Sequence, residues 1–210
     1  MKKKILINYW NKFYNKTLIM DESTFAKFTY KKIKNKKGKI LDIGCGNGRD
    51  ARFFNRKGFH VMGVDISQKA IQKNSKNTIK NLVFKKFDVG KNKLKIKFEI
   101  IYCRFFLHTL DEVLEDKLIN IIKLAKKKNT MVFFEFRNYK DKIFGNFKAD
   151  DHNKIIEFEK GHFRRIIDPK LFKKKFIFET KSTIIYQKSG INLSVVKNDN
   201  PNLSRMIFKF

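Results

Sequence analysis

The chain has 210 residues, 42% of them hydrophobic and 23 of them phenylalanine, which suits one domain with a sizeable core. Two cysteines, Cys45 and Cys103, with no CxxC pair or Cys/His cluster, argue against a disulfide framework and a zinc site and fit a reducing cytoplasm; no metal site is expected. The net charge of +29 comes from 49 basic residues of which eight are arginine, a lysine bias that an AT-rich coding sequence, nucleic acid, an anionic membrane or an acidic substrate would each explain.

At the N-terminus Ile5-Leu6-Ile7 is broken by Asn8 and is too short for a signal-peptide core or a membrane span. Tyr9 to Lys16 (YWNKFYNK) is aromatic and polar, and Asp21-Glu22-Ser23-Thr24 supply an N-cap. Phe25, Phe28 and Ile33 give the following helix its apolar spacing up to a break at Lys37-Gly38. Residues 1–37 thus read as a helical flap placed before the first strand.

Lys39 to Ile43 reads as strand one, and it stops at three glycines on alternate positions, Gly44, Gly46 and Gly48. Glycine suits a tight turn with positive φ and a close backbone approach to a ligand. A helix from Arg49 to Lys57 follows, with Ala51, Phe53 and Phe54 toward the sheet, and its N-terminus offers N–H groups to a polar or anionic group. Two residues tell against a pyrophosphate loop: Asp42 at the strand's end, and Arg49 where the dinucleotide fingerprint wants glycine.

His60 to Val64 reads as strand two, ending at Asp65, and Ser67 begins a helix through about Asn77. Asn81 to Phe87 is strand three, ending at Asp88, and Phe98 to Tyr102 is strand four. Asp111 and Glu112 open an amphipathic helix carrying Leu114, Leu118, Ile121, Ile122 and Ala125, with Lys126 to Lys128 closing its negative end. Thr130 to Phe136 is a strand buried on both faces, as parallel sheets require. The segment from Asn138 to Phe163, within a substrate-side insertion over residues 138–167, reads as a long functional excursion. A short helix starts near Asp168-Pro169, and Lys175 to Tyr186 and Ser204 to Phe210 read as two final strands.

Such alternation predicts an α/β fold, a Rossmann-like doubly wound and mostly parallel sheet. The informative residues all fall where strands end, the ligand side of such sheets. Asp65 follows Gly44 by close to the roughly 20 residues that separate a glycine turn from a ribose-binding acid. Asp88, one strand further, is placed to accept from an adenine amino group.

On these residues the chain resembles the class I S-adenosylmethionine-dependent methyltransferases, over most of its length. LDIGCGNGRD (Leu41 to Asp50) matches their glycine motif, VDIS (Val64 to Ser67) their ribose acid and FDVG (Phe87 to Gly90) their adenine-side acid. The resemblance implies seven strands with the last antiparallel, S-adenosyl-L-methionine as cofactor and S-adenosyl-L-homocysteine as product. It also implies that Gly44 and Gly46 flank the methionine part, with Ile66 and Val89 against the adenine. The cofactor-binding set is then Asp42, Gly44, Cys45, Gly46, Arg49, Asp65, Ile66, Asp88, Val89, Arg104 and Trp10. A narrower resemblance, to methyltransferases of bacterial capsule and O-antigen loci, rests on YWNKFYNK, STFAKF (Ser23 to Phe28), IYCRFFLH (Ile101 to His108), FEFRNYKDKIFG (Phe134 to Gly145), GHFRRIID (Gly161 to Asp168) and NDNPNLSRMI (Asn198 to Ile207).

In a chain that uses lysine for most positive charges, five arginines of the quoted strings, Arg49, Arg104, Arg137, Arg164 and Arg165, are the candidates for anion binding. Only arginine offers a planar fork for carboxylate or phosphate. Arg49 and Arg104 can reach the cofactor's carboxylate, and Arg137, Arg164 and Arg165 an anionic acceptor; a structural pair with Glu135, Asp141 or Asp168 is the alternative. His108 is a candidate general base with a pKa near about 6.5, a capping or packing role being its alternative. The catalytic candidates are His108 and Arg104. Tyr9, Trp10 and Tyr14 can close over a sulfonium, or simply pack the flap, and Tyr14 is placed with the acceptor residues.

The expected reaction is O-methyl transfer to a small or glycan-linked anionic acceptor in surface polysaccharide biosynthesis. A nucleic-acid methyltransferase is the first rival, although Tyr102-Cys103-Arg104-Phe105 stands where amino-methylating enzymes carry Asn/Asp-Pro-Pro-aromatic. A tellurite-resistance-type small-molecule methyltransferase and a non-catalytic basic scaffold are the others. Peripheral membrane contact and any oligomeric state stay open.

Overall fold

Asp, Ser and Gly punctuation sets the element boundaries in the computed structural model, which describes residues 3–17, 20–195 and 199–210. Four flap residues, 1–2 and 18–19, and Asn198 of the NDNPNLSRMI string lie outside that description. In chain order the elements are α1 (Lys3–Lys16), α2 (Thr24–Ile33), β1 (Lys39–Ile43), α3 (Arg49–Arg56), β2 (His60–Asp65), α4 (Gln68–Asn74), β3 (Leu82–Lys86) and β4 (Phe98–Arg104). They continue with α5 (Glu112–Ala125), β5 (Lys126–Arg137), β6 (Ile155–Glu159), β7 (His162–Arg165), α6 (Pro169–Thr180), β8 (Thr183–Gly190) and β9 (Leu203–Lys209). Ser23, Ser67, Asp111 and Asp168 each cap a helix by accepting a backbone N–H.

Seven strands form one sheet in the order β3-β2-β1-β4-β5-β9-β8. The ladders from β3 through β5 are parallel, and β9 runs antiparallel to both β5 and β8. This is the mostly parallel, seven-stranded sheet with an antiparallel last strand that the sequence led us to expect. The order reverses between β1 and β4, which opens a crevice at their carboxyl ends.

Successive strand residues point to opposite faces and so fill two cores. Leu41, Ile101, Val132, Phe134 and Met206 pack under α5 and α6, whose Leu118, Ile122, Phe172 and Phe176 meet them. Ile40, Val61, Ile100, Tyr102 and Phe133 pack under α2 and α3, against Phe25, Ala26, Ala51 and Phe54.

Several boundaries differ from the sequence reading. Lys175 to Thr180, expected in a strand, is helical: α6 runs twelve residues, nucleated by Asp168 and Pro169, and buries Phe172, Phe176 and Thr180 at a spacing of four. The β-prone run Phe176-Ile177-Phe178 misled, because packing under the sheet outweighs local propensity. Lys126 to Lys128 do not close α5; Lys126 is already extended (ψ 157°) and begins β5. The excursion after Asn138 holds two single 3-10 turns and then the β6–β7 hairpin, which pairs only with itself.

Candidate active site

The glycine turn forms the floor. Gly44 and Cys45 both donate their N–H to the Val64 carbonyl (2.8 and 3.0 Å), tying the turn to β2. Gly44 and Gly46 have φ of 73° and 52°, and a Cβ on Gly44 would lie 2.6 Å from the Phe106 ring. On Gly46 it would lie 2.4 Å from the Tyr14 hydroxyl, so side chains already fill the space that the missing Cβ atoms leave.

Two adjoining chambers open beside this turn, and Gly44 and Trp10 line both. The first, about 340 Å³, has apolar walls of Ile66, Phe87, Val89, Phe106 and Leu114, with Asp65, Asp88 and the α5 cap Asp111 as its acids. Asp65 accepts from Gly46 N–H (2.9 Å) and Ser67 N–H (2.8 Å), and burial pushes its carboxyl up to about 6. A carboxylate accepts about four hydrogen bonds, so it keeps capacity for a diol. Asp88 accepts from Gly90 N–H (2.9 Å), and its other oxygen is ion-paired with Lys3 of α1.

The second chamber, about 270 Å³, is lined by Asp42, Cys45, Gly46, Arg49, Asp50, Arg104 and Arg164 among others. Arg104 donates Nε to Glu135 (3.0 Å), which leaves its terminal nitrogens outside that bond. Glu135 is fully buried and also accepts from Arg205 Nε (2.7 Å) and the Ser194 hydroxyl. Arg49 lies near Asp50 (3.8 Å), and burial followed by repulsion from Arg104 lowers its pKa. The Oδ2 of Asp42 is buried with no hydrogen-bond partner among the described residues, and burial, then Asp50 and Asp65, push its carboxyl well above the usual range. An orphaned acid beside two crowded arginines is a receptor for a zwitterion such as an amino acid.

Helix α1 roofs both chambers: Leu6 and Trp10 reach the first, and Tyr9, Trp10, Phe13 and Tyr14 the second. It is fastened at its ends and middle. Beyond the Lys3–Asp88 pair, Asn11 accepts from the Ser67 hydroxyl (2.9 Å), and Lys73 donates to the Asn15 carbonyl (2.5 Å).

The three acceptor-side arginines separate. Arg164 enters the second chamber with its guanidinium 5.6 Å over the Trp10 ring and one donor on the Phe163 carbonyl (2.9 Å). No carboxylate among the described side chains pairs with it, and burial lowers its pKa to about 10. Arg165 points the other way: it is 1% exposed, ion-paired with Glu115 and bonded to Asn153 (2.6 Å). Arg137 lines neither chamber and is held by Asp141 (2.7 Å) and Asp199. Of the three, only Arg164 reaches a chamber, and the guanidiniums of Arg137 and Arg165 are held by carboxylates.

His108, the expected general base, lines neither chamber. It is 1% exposed in a 3-10 turn, its Nδ1 accepts the Arg137 N–H (3.2 Å), and burial followed by Arg164 and Arg137 hold its pKa well below the usual value. The remaining nitrogen then carries the hydrogen. Cys103 is buried outside both chambers and its thiol is pushed up by burial. No group of three or more His, Cys, Asp or Glu among the described residues could hold a metal.

Sequence reading missed Asp50, Tyr102 and Arg205. Asp50 accepts from Ser23 N–H (2.8 Å), the Ser23 hydroxyl (2.7 Å) and the Tyr102 hydroxyl (2.8 Å), docking α2 against α3. The available signal was an acid in the first turn after the glycine loop.

A family profile described as "Methyltransferase domain" matches residues 14–169. The chain belongs to this methyltransferase family. Comparison of this methyltransferase with solved structures gives the same fold. A glycopeptide N-methyltransferase, MtfA, crystallised with S-adenosyl-L-homocysteine, superposes with a TM-score of 0.72 at 13% identity, covering 91% of this chain and 90% of that one. An S-adenosylmethionine-dependent methyltransferase from Clostridium acetobutylicum gives 0.67 at 16% identity over 97% and 98%. One from Methanosarcina mazei gives 0.66 at 18% over 81% and 91%. No curated protein matches the sequence.

Proposed function

We propose that this methyltransferase moves the methyl group of S-adenosyl-L-methionine to an oxygen of a small or glycan-linked anion, phosphate-like or sugar-borne, in surface polysaccharide biosynthesis. The carrying observation is Arg164: a half-buried guanidinium on Trp10, beside the glycine turn, with no carboxylate partner among the described side chains.

The cofactor fits the residues present. Asp65 would hold the ribose diol, Ile66 and Val89 the adenine, and Asp42, Arg49 and Arg104 the amino-acid end. When bound, the cofactor supplies a sulfonium methyl, an activated group whose transfer leaves S-adenosyl-L-homocysteine. The chain's own task is to orient and desolvate the acceptor. Arg164 and Trp10 position it, and α1 excludes water from above.

Neither His108 nor Glu135 is placed to act as base: neither lines a chamber, His108 spends its Nδ1 lone pair on the Arg137 N–H, and fully buried Glu135 accepts from Arg104, Arg205 and Ser194. That favours an acceptor already anionic at neutral pH over a plain sugar hydroxyl, whose proton would need somewhere to go. An amine acceptor of the kind named for the glycopeptide enzyme would meet the positive charges of Arg49, Arg104 and Arg164. Two free, buried thiols are in keeping with a reducing cytoplasm, and no helix among the described residues is long and apolar enough to cross a membrane.

The test is incubation with methyl-labelled S-adenosyl-L-methionine and a panel of phosphorylated and nucleotide-linked sugars, reading S-adenosyl-L-homocysteine and labelled product. Turnover that is lost in Arg164→Met with cofactor affinity intact supports the reading. Absence of turnover across the panel, with methylation of nucleic acid instead, overturns it.

A further inference from the structure

Resting on the reading of a glycan-borne anionic acceptor, we infer that the sugar chain attached to that anion lies in a groove along the outer face of α1. The groove encloses about 490 Å³ and is lined by Ile5, Asn8, Lys12 and Lys16 of α1 and by Lys160 in the β6–β7 turn. Tyr9 and Phe13 line both this groove and the second chamber, so the two share a wall of two rings. From Ile5 to Lys16 the helix rises about 16 Å, room for an extended chain rather than a single small molecule.

The turn is set against the helix by Gly161, whose φ is 89° and where a Cβ would come within 2.9 Å of Tyr9 and 3.0 Å of Ile5. The groove wall is therefore a built contact between hairpin and helix. None of Lys12, Lys16 and Lys160 is ion-paired with a described carboxylate, and Arg164 continues this file of cations into the chamber. A ligand that satisfies the whole file carries negative charge along its length, not only at the reacting group.

The aromatic side chains point to sugar over nucleobase. Tyr9 stacks on His162 (4.8 Å) and on Phe13 (6.3 Å), and Phe158 leans on His162 (5.7 Å). With Tyr9 already stacked on two rings, the groove adds the Ile5 aliphatic chain and the Asn8 amide. These suit the C–H faces and hydroxyls of pyranose rings, whereas a single-stranded nucleic acid stacks its bases on open aromatic faces.

Trp10 is the only tryptophan of the chain and stands under Arg164, edge-on to the Tyr9 and Phe13 rings that wall the groove, so its fluorescence reports ligand there and not elsewhere on a basic surface. The probe is a heparin-derived hexasaccharide titrated into the full chain saturated with S-adenosyl-L-homocysteine. We expect a saturable change in Trp10 emission that weakens at least about tenfold in Lys12→Glu/Lys16→Glu. Lys93→Glu/Lys95→Glu, the same charge change in the β3–β4 coil, should shift it no more than about twofold. Calorimetric S-adenosyl-L-homocysteine affinity, unchanged in both variants, shows that they are folded.

Equal weakening in the two variants, or tighter groove-dependent binding of single-stranded DNA of matched charge, overturns the inference. If glucose 1-phosphate is methylated in an Arg164-dependent way while the hexasaccharide ignores Lys12 and Lys16, the groove assignment fails and the proposed reaction stands. If no phosphorylated sugar is methylated, the reaction reading fails with it.

Discussion

Replacing Arg165 by methionine should unfold the chain more easily without touching the chemistry, while Arg164→Met should do the reverse. Adjacent residues of a strand face opposite ways, and on β7 that puts Arg164 toward Trp10 of α1 and Arg165 toward Glu115 of α5. Glu115 is itself 1% exposed, so removing Arg165 strands a buried carboxylate, a change that costs about 3–5 kcal/mol. Lys175 still reaches Glu115 at 3.1 Å and is partly exposed, which places the expected loss at the lower end, about 3 kcal/mol. For a chain of this size each kcal/mol lowers the melting temperature by about 2–4 °C, so a drop of about 6–12 °C is expected by circular dichroism. In Glu115→Gln/Arg165→Met the loss should be smaller than the sum of the single changes, since the two groups interact directly. Arg164→Met strands no charge and should melt within about 2 °C of the parent while the acceptor KM rises. If Arg165→Met melted with the parent and raised the acceptor KM as Arg164→Met does, the opposed facing of the two arginines would be refuted.

With Asp65 holding the ribose diol as proposed, cofactor affinity should depend on pH. Its raised carboxyl is ionised at pH 7 and protonates near 6, where it stops accepting from a diol; the Kd for S-adenosyl-L-homocysteine should then rise about tenfold per pH unit below 6, by calorimetry, and be flat in Asp65→Ala. The same shift has the opposite sign for the ligand-free fold: burying the neutral acid is easier, so Asp65 contributes stability fully below its unfolded value of about 3.9, lost as pH rises through about 6. His108→Gln, which can still accept the Arg137 N–H, should lower kcat less than about tenfold and leave the pH profile unchanged, where a true general base would cost about 10²–10⁴. Gly46→Ala must hold φ near 52° and displace the Tyr14 hydroxyl; a loss of about 1–2 kcal/mol in urea unfolding and a weaker cofactor Kd are expected.

The sequence by itself determined the fold, the glycine turn and the acids at the strand ends that border the first chamber. An apolar strand, alternate glycines and acids at the ends of the next two strands are local signals: each depends on backbone conformation and on its position in the chain, so Gly44, Gly46, Asp65 and Asp88 are legible without neighbours. Propensity failed where packing decides, as in α6, whose aromatic run is helical because Phe172 and Phe176 meet the sheet together. The acceptor side depended wholly on tertiary structure. Arg137, Arg164 and Arg165 are the same residue type in similar strings, and nothing local says which finds a carboxylate. Asp141, Asp199 and Glu115 reach two of them from other parts of the chain, and the third is left over Trp10. Charge pairing is a matter of distance in space, and only the folded chain fixes that distance.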